Sequence, residues 1–172
     1  MIATTIKSPA TGTYRIEPES SSIRFTTRHM FGLGKVTGTF AVTGGSVSVA
    51  EAVENSSVTA VASAASFSTG NQRRDDQVKS PALLDAEQFS EIQFHSTALT
   101  NDGTNWTLRG DLTAHGVTAP VEFVVTEVQS DASSLTVHAH GTVDRYAHEV
   151  TKMKGMAGRH LHLDVTVHAT SD

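Results

Sequence analysis

Apolar and polar residues alternate along almost the whole chain. In Ser22–His29, Ile23, Phe25, Thr27 and His29 share one face, and Arg24, Thr26 and Arg28 take the other. A period of two marks strands half-buried in a sheet. The same pattern predicts strands at Thr13–Ile16, Lys35–Val42 with a continuation at Ser46–Val49, Ser56–Ser68, Glu91–Leu99, Thr104–Ala114, Val121–Gln129, Leu135–Asp144 and Arg159–Ala169. Between them stand turn residues: the Gly-bearing Met30–Gly34, Gly44-Gly45 (a bulge or a turn), Asn101-Asp102-Gly103, His115–Pro120 and Asp131–Ser134. About eight or nine strands at regular spacing, joined by short turns, predict an up-and-down antiparallel barrel, with a two-sheet sandwich as the alternative.

The alternation stops once, between Ser68 and Thr97. Asn71 can cap a helix there and Pro81 can end it. Arg74 and Val78, like Asp75 and Lys79, are four apart and share a helical face. This short helical insertion is expected to cover one end of the barrel. Its charges either meet a ligand headgroup or pair with a neighbouring strand, and the second reading is preferred for Arg74 and Asp75. Phe67, Leu83, Leu84 and Phe89 are the better candidates for ligand contact.

The interior is where the pattern leaves two readings open. Phe25, Phe40, Phe94, Leu108, Leu112, Phe123 and Val125 fall on apolar strand faces, and Phe31 lies in an apolar turn. They either fill the barrel or line a cavity in it. Aromatics make up only 6% of the chain, and many strand positions hold Ala, Val, Gly, Thr or Ser. Small inner residues make a barrel harder to fill. His29 sits on the same face and needs a hydrogen-bond partner if buried.

Composition narrows the chemistry. With 172 residues the chain suits one domain, with residues 1–12 as a loose arm and 13–170 as the barrel. It has no Cys, so disulfides, thiolate metal sites and a Cys nucleophile are excluded. The net charge of −5 and the lack of a Lys/Arg stripe argue against nucleic acid. No run has the length of a membrane span. The opening MIATTIKSPATGTY has neither a basic nor an apolar signal region, so a cytoplasmic location is the expectation. Catalytic motifs such as Gly-x-Ser-x-Gly or His-Glu-x-x-His are missing. An enzyme acting on a small hydrophobic substrate, with His29 as its candidate residue, is the alternative function. A second alternative is metal binding by His138, His140, His160, His162 and His168, with Asp164. These alternate with apolar residues on an outward face, and His140 is expected across from His160 or His162. A solvated face is the preferred reading, so no metal and no cofactor is assigned.

Several short motifs in series carry a family resemblance. They are Tyr14-Arg15-Ile16, Ser22-Ile23-Arg24-Phe25, Val36–Phe40, Ser66–Asn71, Arg74-Asp75, Lys79-Ser80, Leu83-Leu84-Asp85, Ile92–Thr97, Gly110–Thr118 with Pro120-Val121, and Asp144-Arg145-Tyr146. In this order and spacing, from Tyr14 to Ala169, the chain resembles the YceI-like proteins. The resemblance implies an all-β fold with one helical insertion: an eight-stranded, lipocalin-like antiparallel barrel with a helical cover. It also implies an apolar tunnel for a long isoprenoid lipid (a polyprenyl chain or an isoprenoid quinone), no catalytic residues, and a homodimer. The chain departs from the family pattern at Leu83-Leu84, where two aromatics are usual, at Ser90, where Pro is common, and at His148-Glu149, where Phe-Gly is usual.

Overall fold

A computed structural model describes residues 5–6, 9–29 and 32–171. The strands are β1 (Thr5–Ile6), β2 (Gly12–Ile16), β3 (Ser22–His29), β4 (Gly34–Val49), β5 (Ser57–Ser68), β6 (Glu91–Asn101), β7 (Trp106–Ala114), β8 (Val117–Ser130), β9 (Ser134–Asp144) and β10 (His160–Ser171). One helix, α1 (Gln72–Lys79), follows β5. From β3 to β10 each strand pairs antiparallel with the next, and β10 returns to β3. The sheet is therefore a closed barrel. Strands β2 and β3 share one place in the ring, because both lie between β4 and β10. Counting them as one interrupted strand gives the eight of the predicted barrel. Thr5–Ile6 adds a short parallel pairing to Glu127–Val128.

The turns follow from their residues. His115 and Gly116 both have positive φ, 55° and 70°, so this pair alone makes the tight β7–β8 hairpin. The predicted turn over His115–Pro120 is thus too long, since β8 begins at Val117. Pro120 lies inside the strand, opposite Asp111. It is tolerated because pairing of β8 with β9 begins only at Phe123. Gly44-Gly45 is not a turn: β4 runs through it, and the register shift against β5 falls just before it, between Val42 and Gly44. Asp131 caps the β8–β9 turn, accepting from the N–H groups of Ser133 and Ser134, and those bonds hold its carboxyl below its ordinary value.

The two ends of the barrel differ. One is closed by packed side chains, with Tyr14, Ile16, Val42, Val47, Val49, Leu135 and Ala169 in a single cluster. Tyr14 is 2% exposed, and its hydroxyl donates to the Ala10 carbonyl at 2.6 Å. The other end is where β3 and β5 finish, β4 and β6 begin, and the segment between β9 and β10 crosses. That end carries α1 and the cavity mouth.

Candidate functional site

Between the closed end and α1 the barrel is hollow. The cavity holds about 580 Å³, a size typical of small-molecule sites. Its deep wall is aliphatic and aromatic: Val47, Val58, Ala60, Ala62, Ile92, Leu108, Val137, Ala139, Leu163 and Val165 are among its lining residues. Several of these are only half-buried because they face empty space rather than one another.

The rings leave room because they lie back on glycine. Phe25 faces Gly38 across the β3–β4 ladder, and a Cβ on Gly38 would come within 2.5 Å of the Phe25 ring. Phe123 faces Gly141 across β8–β9 in the same way, at 2.8 Å. Phe94 covers Gly110, whose Cβ would meet that ring at 2.5 Å. Each missing side chain gives a ring a flat bed on the wall. Phe25, Phe40 and Phe67 then stack together, with centroids 5.2–5.7 Å apart, and Phe94 meets Phe123 edge-on at 5.5 Å.

Of the residues singled out from sequence, Phe25, His29, Phe40, Phe67, Leu83, Leu84, Phe94, Leu108, Leu112 and Phe123 line the cavity. Phe31 lies outside the described residues. Val125 is buried, paired with Trp106 and Ala139, but it is not on the cavity wall. Phe89 is not on it either: its ring packs on Gly116 and edge-on against His115 at 5.0 Å, beside the β7–β8 hairpin. His29 packs its imidazole over Gly34, its cross-strand neighbour, and has no side-chain hydrogen bond to any described residue.

Polar groups gather at the mouth. Helix α1 brings Arg73, Arg74 and Gln77 there, with Asn71 as its cap: the Asn71 side chain accepts from the Arg74 N–H. Asp75 faces inward, 7% exposed, and accepts from the Thr69 N–H at 3.0 and 3.1 Å and from the Thr69 hydroxyl at 2.6 Å. It staples α1 to the end of β5. Arg74 reaches the same hydroxyl at 3.5 Å.

The segment between β9 and β10, residues 145–159, forms the rest of the mouth. Arg145 is 8% exposed and has no carboxylate partner among the described residues; Asp144 pairs instead with Arg159, at 2.9 and 3.0 Å. The Arg145 guanidinium donates to the carbonyls of Gly158, Val150, Lys152 and Ala157, tying the segment into a loop around itself. Burial pushes its pKa below the ordinary value. The Arg159 bonds likewise hold the Asp144 carboxyl below its usual range. His148, 4% exposed, donates from Nδ1 to the Val117 carbonyl at 2.8 Å. A carbonyl can only accept, so Nδ1 carries a proton. Arg145, His148, Met153 and Met156 all line the cavity, and none is among the residues predicted from sequence. The available signal is length: an unassigned stretch of this size between strands is uncommon and usually functional.

The outward histidines are arranged differently from the expectation. His140 sits opposite Asp164, not opposite another His. His138, His162 and His168 each bond a cross-strand threonine, respectively Thr166, Thr142 and Thr136, at 2.9–3.0 Å. The described residues contain no group of three or more His, Asp or Glu placed to hold a metal ion.

A YceI-like domain model matches residues 14–170. Curated relatives include a UPF0312 protein of Vibrio campbellii, 33% identical over 103 residues, or 59% of this chain and 54% of the relative. One of Pseudomonas putida is 40% identical over 63 residues, 36% of this chain and 33% of the relative. The chain spans about half the length of the first of these. Among solved structures, BcnA of Burkholderia cenocepacia superposes with TM-score 0.77 at 21% identity, covering 90% of this chain and 99% of that one. A polyisoprenoid binding domain from Saccharophagus degradans, implicated in plant cell wall breakdown, superposes with TM-score 0.71 at 14% identity, covering 92% and 98%. At these identities the likeness is one of fold.

Proposed function

The chain belongs to the YceI-like family, and on that premise we propose that its barrel binds a long isoprenoid lipid, for carriage or sequestration without catalysis. One observation carries this reading: the cavity is apolar at depth and polar only at its mouth. A polyprenyl or quinone-bearing chain has the same asymmetry. Each methylene it buries contributes about 0.8 kcal/mol, so the tail supplies affinity and the mouth needs to satisfy only a headgroup. The name of the Saccharophagus degradans neighbour supports the ligand class. Among the described residues no carboxylate lines the cavity, so His29 has no acidic partner there for acid–base work. This favours binding over the hydrolytic or isomerising chemistry of the alternative reading.

Extraction of the purified protein with organic solvent, followed by mass spectrometry, is expected to release a prenyl lipid or isoprenoid quinone in near-stoichiometric amount. Repeatedly empty extracts, with no uptake of added polyprenol or quinone, would refute the reading.

A further inference from the structure

Three large apolar side chains are exposed among the described residues, Leu33 (88%), Met153 (37%) and Met156 (47%), and all three belong to the open end of the barrel. Leu33 is in the β3–β4 hairpin next to Gly34, on which the mouth residue His29 packs. Met153 and Met156 belong to the segment after β9 and also line the cavity. The two segments touch, since Gly158 lies against Thr27 and Arg28.

Their sequences share a composition. The hairpin reads Arg28-His-Met-Phe-Gly-Leu-Gly-Lys35, and the segment reads Thr151-Lys-Met-Lys-Gly-Met-Ala-Gly-Arg159. The hairpin sets its apolar residues between Arg28 and Lys35, the segment alternates them with Lys152 and Lys154, and neither stretch contains an acid. The exposed acids at this end include Asp76, Glu87, Glu91 and Glu149; the first three lie outside both segments, and Glu149 lies in the β9–β10 segment two residues before Thr151. At the closed end the balance reverses. Glu51, Glu54, Asp102 and Asp131 are exposed there, and Arg15 is paired with Glu17. A chain of net charge −5 thus keeps a cationic, apolar rim around one opening.

From this we infer that the mouth docks on an anionic lipid bilayer, with Leu33, Met153 and Met156 entering the interface and Arg28, Lys35, Lys152 and Lys154 meeting lipid phosphates. Apolar side chains set in a basic surface are the pattern of peripheral membrane contact. Each basic side chain near an anionic surface adds about 1 kcal/mol. An acidic closed end opposes docking in the reverse orientation. Docked this way, the cavity opens directly onto the bilayer, so an apolar ligand can pass between the two without crossing water. The inference adds a membrane surface to the binding function but does not depend on the ligand's identity.

The test is co-sedimentation of the full chain with vesicles of phosphatidylcholine alone and of phosphatidylcholine with about a third phosphatidylglycerol. Binding is expected to the anionic vesicles only, and to weaken as salt rises. The triple substitution Leu33→Ser, Met153→Ser and Met156→Ser is expected to weaken it by about tenfold or more. Lys35→Glu with Lys152→Glu, at exposed sites that leave the core untouched, is expected to do the same, and Arg15→Glu to do nothing. Binding to neither vesicle overturns the inference, as does binding that the rim variants leave unchanged. If light scattering shows that the rim variants abolish a dimer while vesicle binding is missing, the rim is a self-association surface and the inference fails. Solvent extraction of the same variants reports cavity loading separately, so failure to dock is distinguishable from failure to bind lipid.

Discussion

Ala139→Phe separates a hollow barrel from a packed one, because the two predict effects of opposite sign. Ala139 lies on β9 between Val125 and Val165, and its methyl group faces the cavity. It belongs to the cluster around Phe94, Leu112, Val121 and Phe123. In a hollow of about 580 Å³ the new ring enters empty space and buries itself without displacing neighbours. Thermal stability then stays level or rises. The ligand loses the space of about six carbons, and at about 0.8 kcal/mol each this removes about 4–5 kcal/mol of binding, a factor of order 10³. In a packed core the same substitution is overpacking, which costs about 1–3 kcal/mol. For a chain of this size that lowers the melting temperature by about 2–12 °C. The assays are a thermal melt of ligand-stripped protein and the lipid recovered per mole after extraction. A lowered melting temperature together with unchanged lipid content would refute both the cavity and its role.

Other substitutions probe the cover and the mouth. Asp75→Ala leaves the Thr69 N–H and hydroxyl without their acceptor, and is expected to cost about 1–3 kcal/mol. Urea unfolding reads the loss, and hydrogen exchange should quicken across Gln72–Lys79. Glu149 holds φ 60° at the end of the Arg145–His148 turn. That conformation strains a residue with a Cβ by about 1–2 kcal/mol, whereas Gly adds about 0.5–1 kcal/mol of chain entropy cost. Glu149→Gly is therefore expected to raise stability by up to about 1 kcal/mol in urea, and a clear loss would show that the Glu side chain has a role of its own. Because Arg159 depresses the folded-state pKa of Asp144, the pair stabilises the fold above the unfolded carboxylate pKa and loses that contribution as pH falls through the folded one. Asp144→Asn should flatten the acid limb of stability against pH, and an unchanged limb would mean that the exposed pair contributes nothing.

The fold was largely legible because strand faces are written in the sequence with period two. Asn71 as cap was legible for a local reason, because its side chain satisfies a specific backbone need, whereas Gly44-Gly45 left bulge and turn both open. Neighbour relations were harder. Period two says which face a side chain takes, not which strand lies beside it. Hence the placing of His140 against His160 or His162 failed, the true partner being Asp164. It also could not show β2 and β3 sharing one place in the ring. Pro120 misled because proline is read as punctuation. Here it lies where β8 has a partner on one side only, so its missing N–H breaks no ladder.

The cavity is the harder lesson, and it turns on register. The small residues of the inner wall only made a hollow possible, since Val-rich layers can also pack solid. What empties the barrel is the placing of Gly38 beneath Phe25, Gly110 beneath Phe94 and Gly141 beneath Phe123. Each pairing joins residues on different strands and depends on how those strands slide. Bulges shift the ladders near these pairs, between Thr39 and Ala41, between Ser96 and Ala98, and between Val125 and Glu127. A slip of one residue would turn each glycine to the outer face and put a side chain beneath the ring. The rings would then stand up into the lumen and fill it. The same composition therefore encodes either a packed core or a hollow barrel, and strand register selects the hollow one.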